Sequence, residues 1–307
     1  MGRKFLPAIE AYDLPSLIEM RGVALGAGCR FEEILVLHIK TELKLTASLG
    51  GFEGCTTLAA MPEATLQRTT LVGKNWDWTA SAQKLGVILR KKRTDGPATV
   101  SLTEAGLLGR DGFNSAGIAI VANALASDNW HIGVPLHVLI HKALRASKLN
   151  DVMTAVLAAD RASSNNYMIV HHEGEAVCLE AAPFDYNVIW EEGGVLAHSN
   201  HFTLQNPKIK DQLPAIFPNT LTRYHRARKL ITRDRGNITV DTLKRILTDH
   251  FDHPYSICWH SDPRINSLNQ VQTNASMIFE FSERRMHVAM GPPCQNPYNT
   301  IDCRDIM

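Results

Sequence analysis

The sequence lacks a hydrophobic run long enough to cross a membrane, and it carries almost no net charge. No apolar stretch approaches the ~20 residues that a membrane-spanning helix needs. The N-terminal residues contain no long apolar core, so we predict no secretory signal. A formal net charge of +1 provides no bulk field that would attract nucleic acid or an anionic membrane. We therefore expect a cytoplasmic protein that binds neither.

Cysteines are few and widely spaced. No two of them form a C-x-x-C pair, and their spacings suit neither a zinc site nor a dense disulfide framework. We therefore interpret them as reduced thiols and expect no metal site. A glycine-rich phosphate loop of the Walker type is also absent, which argues against a nucleotide-binding function. The six cysteines are Cys29, Cys55, Cys178, Cys258, Cys294 and Cys303.

What is present is enough apolar material for a large core, since 45% of the 307 residues are hydrophobic. Helical spacing dominates the first fifty residues, and short β-rich runs joined by turns follow. Such strands imply antiparallel sheets rather than a βαβ nucleotide-binding fold. We predict helices within 14–23, 31–43, 135–146, 151–159, 221–231 and 240–247, and strands within 69–72, 87–90, 99–102, 117–121, 167–170, 176–180, 187–190, 277–281 and 286–290.

One cysteine, Cys55, directly follows a glycine in a segment, 49–57, that has the composition of a loop. Gly54 can adopt backbone angles closed to other residues, which would expose its carbonyl to the Cys55 sulfur. An N-to-S acyl shift followed by hydrolysis would then cut the chain. The new α-amine has a reference pKa of ~7.7–8.0, so it can accept the thiol proton near neutral pH. A buried, inert cysteine is the alternative, and the neighbouring sequence must decide.

Three sequence blocks favour the reactive cysteine. They are Gly-Cys-Thr-Thr at 54–57, Asn-Trp-Asp at 75–77 and Gly-Phe-Asn-Ser-Ala-Gly at 112–117. With them the chain, from residue 19 to its end, resembles the acyl-coenzyme A:isopenicillin N acyltransferase family, the peptidase C45 group of the N-terminal-nucleophile (Ntn) hydrolases. The resemblance implies an α+β fold, a four-layer αββα sandwich with two antiparallel sheets.

The resemblance also implies autocatalytic cleavage between Gly54 and Cys55. Residues 1–54 would then form a helical propeptide or α-chain segment, and residues 55–307 the Ntn hydrolase β-chain domain, which together make a heterodimer. Family members usually carry further residues before the first helices of this chain, so we interpret 1–54 as a truncated segment.

The family pattern assigns roles to Cys55, Asp77 and Asn200. Cys55 takes the place of the nucleophile, and Asp77 that of the carboxylate that orients its amine. Asn75, in the same block, is expected to support it. Asn200 lies in His-Ser-Asn-His at 198–201, where the family has His-Thr-Asn-His and its asparagine helps to form the oxyanion hole.

His198 and His201 leave two other hypotheses open. Two histidines without a nearby cysteine or acidic partner make a poor metal site. Either could instead act as the base in a hydrolase that uses Cys55 without any cleavage; that enzyme would be uncut but active.

The block at 254–258 both matches the family and departs from it. Ser256 matches a family serine linked to processing. Where the family continues with an active-site arginine, this chain has Trp259. We expect Arg264 to supply the missing cation, with His260 as the alternative, because Asp262 and the proline after it should bend the loop back.

These features predict an Ntn-type cysteine amidohydrolase or acyltransferase. A Cys55 thioester would be resolved by water or by an amine, on a small-molecule N-acyl amide. No cofactor is expected, while acyl-coenzyme A stays open as a co-substrate. The alternative is a catalytically impaired family member that binds a ligand, which Trp259 and the short front end motivate.

Overall fold

The computed structural model describes residues 1–47, 54–266 and 269–306. Its helices are α1 Leu6–Ala27, α2 Phe31–His38, α3 Lys40–Ala47, α4 Leu136–Leu144, α5 Leu149–Leu157, α6 Leu213–Ile216, α7 Asn219–Arg233 and α8 Val240–Leu247. Its strands are β1 Gly54–Ala60, β2 Leu71–Thr79, β3 Gly86–Lys91, β4 Thr99–Glu104, β5 Asp111–Asn114, β6 Ile118–Ala124, β7 Asn165–His171, β8 Glu175–Ala181, β9 Tyr186–Trp190, β10 Val195–His198, β11 Val271–Glu280, β12 Arg285–Met290 and β13 Asn299–Asp302.

The strands form two sheets. Six strands lie in the order β10-β1-β2-β11-β12-β13, and seven in the order β3-β4-β5-β6-β7-β8-β9. Every pairing between these strands is antiparallel. The prediction of antiparallel sheets is therefore confirmed.

Three layers of apolar side chains hold the sheets and helices together. One joins α1, α2, α4 and α5 to the seven-stranded sheet, a second lies between the two sheets, and a third joins α7 and α8 to the six-stranded sheet. The result is the predicted four-layer αββα sandwich. Buried members of the three layers include, in turn, Leu17, Leu139 and Ile169; Trp76, Phe113 and Phe279; and Ala227, Leu243 and Ile278.

Each predicted helix and strand overlaps an observed one, but the helix predicted over 31–43 is divided into α2 and α3, and the loop assigned to 49–57 is wrong at its end. Residues 54–57 begin β1, a central strand whose seven residues are all buried. A strand covered on both faces shows no polar–apolar alternation, so composition alone does not reveal it. The glycine-rich residues 48–53 lie outside the described residues.

Side chains of β1 alternate between two environments. Cys55 and Ala59 face the layer between the sheets, whereas Leu58 and Ala60 face α7 and α8. Because side chains alternate along a strand, Gly54 and Thr56 lie on the helix side. This alternation decides which groups surround Cys55.

In the part of the chain that the structure describes, no helix is both long and apolar enough to span a membrane.

We predict that Leu243→Ala in α8 lowers the free energy of unfolding by about 2–5 kcal/mol, because it removes a buried side chain and leaves a cavity. Leu243 is fully buried in the layer that joins α8 to the six-stranded sheet. Urea denaturation measures the change. The control is Leu221→Ala on α7, which is 48% exposed and should change stability by no more than about 0.5 kcal/mol. Equal effects of the two changes would contradict this packing.

Candidate active site

Strand register brings three chemically distinct positions side by side at one end of the six-stranded sheet. Gly54 of β1 lies opposite Asp77 of β2, and Asp77 lies opposite Thr273 of β11. Directly opposed residues place their side chains on the same face of a sheet. The Asp77 carboxylate therefore sits next to the Gly54–Cys55 peptide.

The Cys55 thiol is fully buried between the sheets. Burial raises its pKa to about 12, against the opposing effect of the Lys74 ammonium group beside it. Lys74 is itself buried and donates hydrogen bonds to Asp111 Oδ2 at 2.7 Å and to the carbonyl oxygen of Ala122 at 2.5 Å. In the intact chain the thiol is therefore protonated at neutral pH.

The backbone of Cys55 is held at both ends. Its N–H donates to Asn200 Oδ1 at 2.8 Å. Its carbonyl oxygen accepts hydrogen bonds from Arg223 Nη1 at 2.7 Å and from Asn123 Nδ2 at 3.3 Å. Asn123 belongs to β6 of the other sheet, so Cys55 is fixed by both halves of the sandwich.

Arg223 of α7 supplies a buried guanidinium group to this site. Besides the Cys55 carbonyl, it donates to Thr56 Oγ1 at 3.0 Å and to Asn200 Oδ1 at 2.8 Å. Its Nη1 lies 3.9 Å from Asp77 Oδ2, and its guanidinium carbon lies 5.4 Å from the centre of the Trp259 ring. The geometry therefore combines hydrogen bonds, an ion pair and a cation–π contact at one cation.

Asp77 is a buried carboxylate with one oxygen that accepts no hydrogen bond among the described residues. Thr273 Oγ1 donates to its Oδ1 at 2.6 Å, while its Oδ2 has no hydrogen-bond partner. Burial raises the pKa of Asp77 to about 6, although Arg223 and the hydrogen bond from Thr273 oppose that rise. The group is therefore poised to change its protonation near neutral pH.

The structure gives a packing reason for glycine at position 54. A β-carbon built there would lie 3.0 Å from Trp259 Cζ3, 3.1 Å from Asp77 Cβ and 3.2 Å from Asp77 Oδ2. Any larger residue would push the carboxylate or the indole ring away. Gly54 thus lets the backbone of β1 approach Asp77 closely.

Comparison with known proteins agrees with this architecture. The family model described as acyl-coenzyme A:6-aminopenicillanic acid acyl-transferase matches residues 65–295, well over half of the chain. The chain belongs to this family. The 40 kDa form of acyl-coenzyme A:6-aminopenicillanic-acid-acyltransferase from Emericella nidulans is 26% identical to it over 286 residues, which cover 92% of this chain and 76% of that protein.

Two solved structures share the fold. A conjugated bile acid hydrolase from Clostridium perfringens superposes with a TM-score of 0.59 at 15% identity, covering 82% of this chain and 93% of that one. Penicillin V acylase from Agrobacterium tumefaciens has a TM-score of 0.56 at 11% identity, covering 81% and 86%. The Ntn-hydrolase fold that the sequence blocks implied is therefore confirmed.

Two residues expected to support the site, Asn75 and Ser256, make hydrogen bonds to the loop that follows α8. Asn75 Nδ2 donates to the carbonyl oxygens of Leu247 and Ile257, both at 2.8 Å, so it anchors the loop after α8. Ser256 Oγ donates to the Cys258 carbonyl oxygen at 2.7 Å within that loop. Both residues position the chain that carries Trp259 rather than contact Cys55.

The histidines expected as alternative bases are engaged elsewhere. His198 Nε2 lies 2.9 Å from Glu180 Oε1, and His201 Nδ1 lies 3.0 Å from Thr220 Oγ1. Burial lowers the pKa of His201 to about 4. Among the described residues, no hydrogen bond joins either histidine to Cys55.

Among the described contacts, neither Arg264 nor His260, the residues expected to replace the family arginine, reaches Cys55 or Asp77. Arg264 pairs with Asp262 at 2.7 Å and leaves its side chain 77% exposed. His260 contacts His250 and two cysteines instead. A buried cation that does contact Cys55 is Arg223, which no local motif indicated because it lies on a helix distant in the chain. A signal existed, since Arg223 shares helical spacing with the buried Ala227 and Leu230.

A cleft adjoins this site at Trp259. Its volume is about 210 Å³, and its lining is mainly apolar. Phe217 and Tyr255 pack edge-on against the Trp259 ring, with centroids 6.3 Å and 5.9 Å away. The cleft is lined by Phe217, Tyr255, Trp259, Asp262, Ile265, Asn269 and Val271.

We predict that Asp77→Asn, in a Cys55→Ala background that cannot be cut, changes how stability depends on pH. Because the folded pKa of Asp77 is raised from 3.8 to about 6, its stabilising contribution is complete below about pH 4 and is lost as pH rises through about 6. The parent should lose up to about 3 kcal/mol of unfolding free energy over that window relative to Asp77→Asn.

Urea denaturation at several pH values measures this difference. Asp128→Asn, which removes an exposed carboxylate, serves as the control and should follow the parent. Identical pH profiles for the parent and Asp77→Asn would refute the raised pKa.

Proposed function

We propose that this chain cuts itself between Gly54 and Cys55 and that the freed Cys55 is the nucleophile of an amide hydrolase or acyltransferase. The observation that carries the proposal is the pairing of Gly54 with Asp77, whose Oδ2, free of hydrogen bonds from the described residues, sits beside the peptide to be cut. The hydrogen bonds at the Cys55 N–H and carbonyl oxygen support it, because they fix the backbone on either side of the thiol.

Cleavage would begin when the Cys55 sulfur attacks the Gly54 carbonyl carbon. The Gly54–Cys55 C–N bond breaks, the thiol proton passes to the departing nitrogen, and a thioester forms. Water then hydrolyses the thioester, which leaves a Gly54 carboxylate, a free thiol and a new α-amine on Cys55. The product would be a heterodimer of residues 1–54 and 55–307.

Asp77 would act on that new amine. A carboxylate next to an α-ammonium group favours its charged form and fixes its direction. In the intact chain, Asn200 Oδ1 accepts the Cys55 N–H, so the nitrogen is already directed before the cut. We assign Asn200 this positioning role, together with the donation to the oxyanion that the family pattern implies.

Turnover would use the Cys55 thiol and a small N-acyl amide. The sulfur attacks the acyl carbonyl, the Cys55 amine takes the thiol proton and returns it to the leaving amine, and an acyl thioester remains. Water gives hydrolysis, and an amine gives acyl transfer. Acyl-coenzyme A would be an alternative acyl donor, as the name of the Emericella nidulans relative suggests.

The cleft beside Trp259 suits the acyl part of the substrate. Its aromatic and aliphatic lining would remove an apolar group from water, which favours binding. Because Trp259 also stacks on Arg223, an acyl group in the cleft would lie next to the cation that holds the Cys55 carbonyl.

A catalytically impaired, ligand-binding protein is the competing function. It was motivated by Trp259 in place of the family arginine. The buried Arg223 weakens the argument from the missing arginine, since its guanidinium group reaches Cys55 from α7 instead. The presence of a cation, a carboxylate and a held nucleophile favours an enzyme.

We predict that purified wild-type protein separates on denaturing mass spectrometry into fragments that end at Gly54 and start at Cys55. Cys55→Ala should stay intact, because it lacks the attacking sulfur. Cys178→Ala, which removes another buried thiol, should cut like the wild type. An intact wild-type chain would contradict self-cleavage, and activity of Cys55→Ala on acyl amides would contradict the nucleophile.

We also predict that Arg223→Lys lowers kcat/KM on an acyl amide by about 10- to 100-fold, because an ammonium group cannot reproduce the forked hydrogen bonds of the guanidinium. The control is Arg228→Lys on the same helix, whose side chain is 62% exposed and should leave kcat/KM unchanged. Steady-state kinetics on the processed proteins measures both. Equal rates for Arg223→Lys and wild type would remove Arg223 from the mechanism.

A further inference from the structure

Four potential metal ligands lie close together next to Trp259 in the loop between α8 and β11. His250 follows α8, Cys258 and His260 flank Trp259, and Cys294 lies between β12 and β13. Their ligand atoms all lie within 4.8 Å of one another. The cluster joins the loop after α8 to the segment after β12, which is why cysteine spacing in the sequence did not reveal it.

Four of the six distances between the ligand atoms of this cluster are close to those of a tetrahedral zinc site. Zinc–sulfur bonds of about 2.3 Å and zinc–nitrogen bonds of about 2.0–2.1 Å place two sulfurs about 3.8 Å apart, sulfur and nitrogen about 3.6 Å apart and two nitrogens about 3.3 Å apart. The two sulfurs, Cys258 Sγ and Cys294 Sγ, are 3.6 Å apart. His260 Nε2 lies 3.5 Å and 3.3 Å from them, and 3.0 Å from His250 Nε2.

Hydrogen bonding alone does not account for this arrangement. His260 Nε2 faces three groups at once: the His250 nitrogen and both sulfurs. One imidazole nitrogen carries either one proton or one lone pair, so it can satisfy only one of them. A cation at the centre of the four atoms gives each of them a partner.

The backbone around the cluster is held independently of any ion. Cys258 N–H donates to the Asp249 carbonyl oxygen at 3.0 Å, and His260 N–H donates to the Pro254 carbonyl oxygen at 2.9 Å. Cys258 is buried, whereas His250 and Cys294 are exposed, so an ion can enter from solvent. Three of the four ligands thus sit on one constrained loop.

We propose that His250, Cys258, His260 and Cys294 form a Cys2His2 site for zinc. Four protein ligands close the coordination shell, which is typical of structural rather than catalytic zinc. Two thiolates with two imidazoles suit zinc better than magnesium or calcium, which prefer oxygen ligands. This proposal is independent of whether Cys55 is a nucleophile.

Elemental analysis of the full chain, purified under reducing conditions with zinc and then dialysed, tests the site. We expect about one zinc per chain, since a closed four-ligand site binds a single ion. Replacement of zinc by cobalt should give the visible bands of tetrahedral cobalt and a thiolate-to-cobalt charge-transfer band. The cobalt measurement uses the unchanged protein, so it does not depend on the folding of any variant.

Variants then locate the ion. His250→Ala and Cys294→Ser alter exposed ligands and should each lower bound zinc at least tenfold. Cys29→Ser, His225→Ala and Cys55→Ala lie outside the cluster and should keep the wild-type zinc content.

Four results would overturn the site. They are no bound zinc in the wild type, a wild-type cobalt spectrum without a thiolate band, unchanged zinc in Cys294→Ser, and loss of zinc in Cys55→Ala. A Cys258–Cys294 disulfide, seen as a loss of two hydrogens in the mass of the unreduced protein, would overturn it as well.

Discussion

Arg223 places a positive charge in the interior, where an unpaired charge would cost several kcal/mol. Its hydrogen bonds to Cys55, Thr56 and Asn200 offset that cost, together with the Asp77 carboxylate and the Trp259 ring. These partners come from β1, β2 and two loops, while Arg223 itself lies on α7. The charge can therefore be accommodated only if all of these elements are in place, so the candidate site and the sandwich around it form together.

Strand pairing supplies the second constraint. The register between β1 and β2 puts the backbone before Cys55 opposite Asp77, while alternation sends the thiol to the other face. Thr273 links the Trp259 backbone to Asp77, since its hydroxyl accepts a hydrogen bond from the Trp259 N–H and donates one to the Asp77 carboxylate. The loop with Trp259 is thus connected to the carboxylate through one hydroxyl group.

Local sequence patterns predicted much of the fold. Apolar spacing predicted the helices and most strands. The blocks around Cys55, Asp77 and Asn200 predicted that these three residues belong to one site. The whole of β1 was missed, because a fully buried strand has no alternation. Arg223 was missed because its contacts join positions far apart in the chain, and no local pattern encodes which helix face meets which strand.

A cut before Cys55 would leave nearly all of β1 in the downstream piece, still paired to β2 and β10. The upstream piece would stay attached through the apolar layer that joins α1 and α2 to α4 and α5. Folding before the cut is a single-chain process, but refolding afterwards would require two molecules to meet. Recovery from denaturation would then depend on protein concentration, so the mature protein would owe its persistence to slow unfolding rather than to reversible folding.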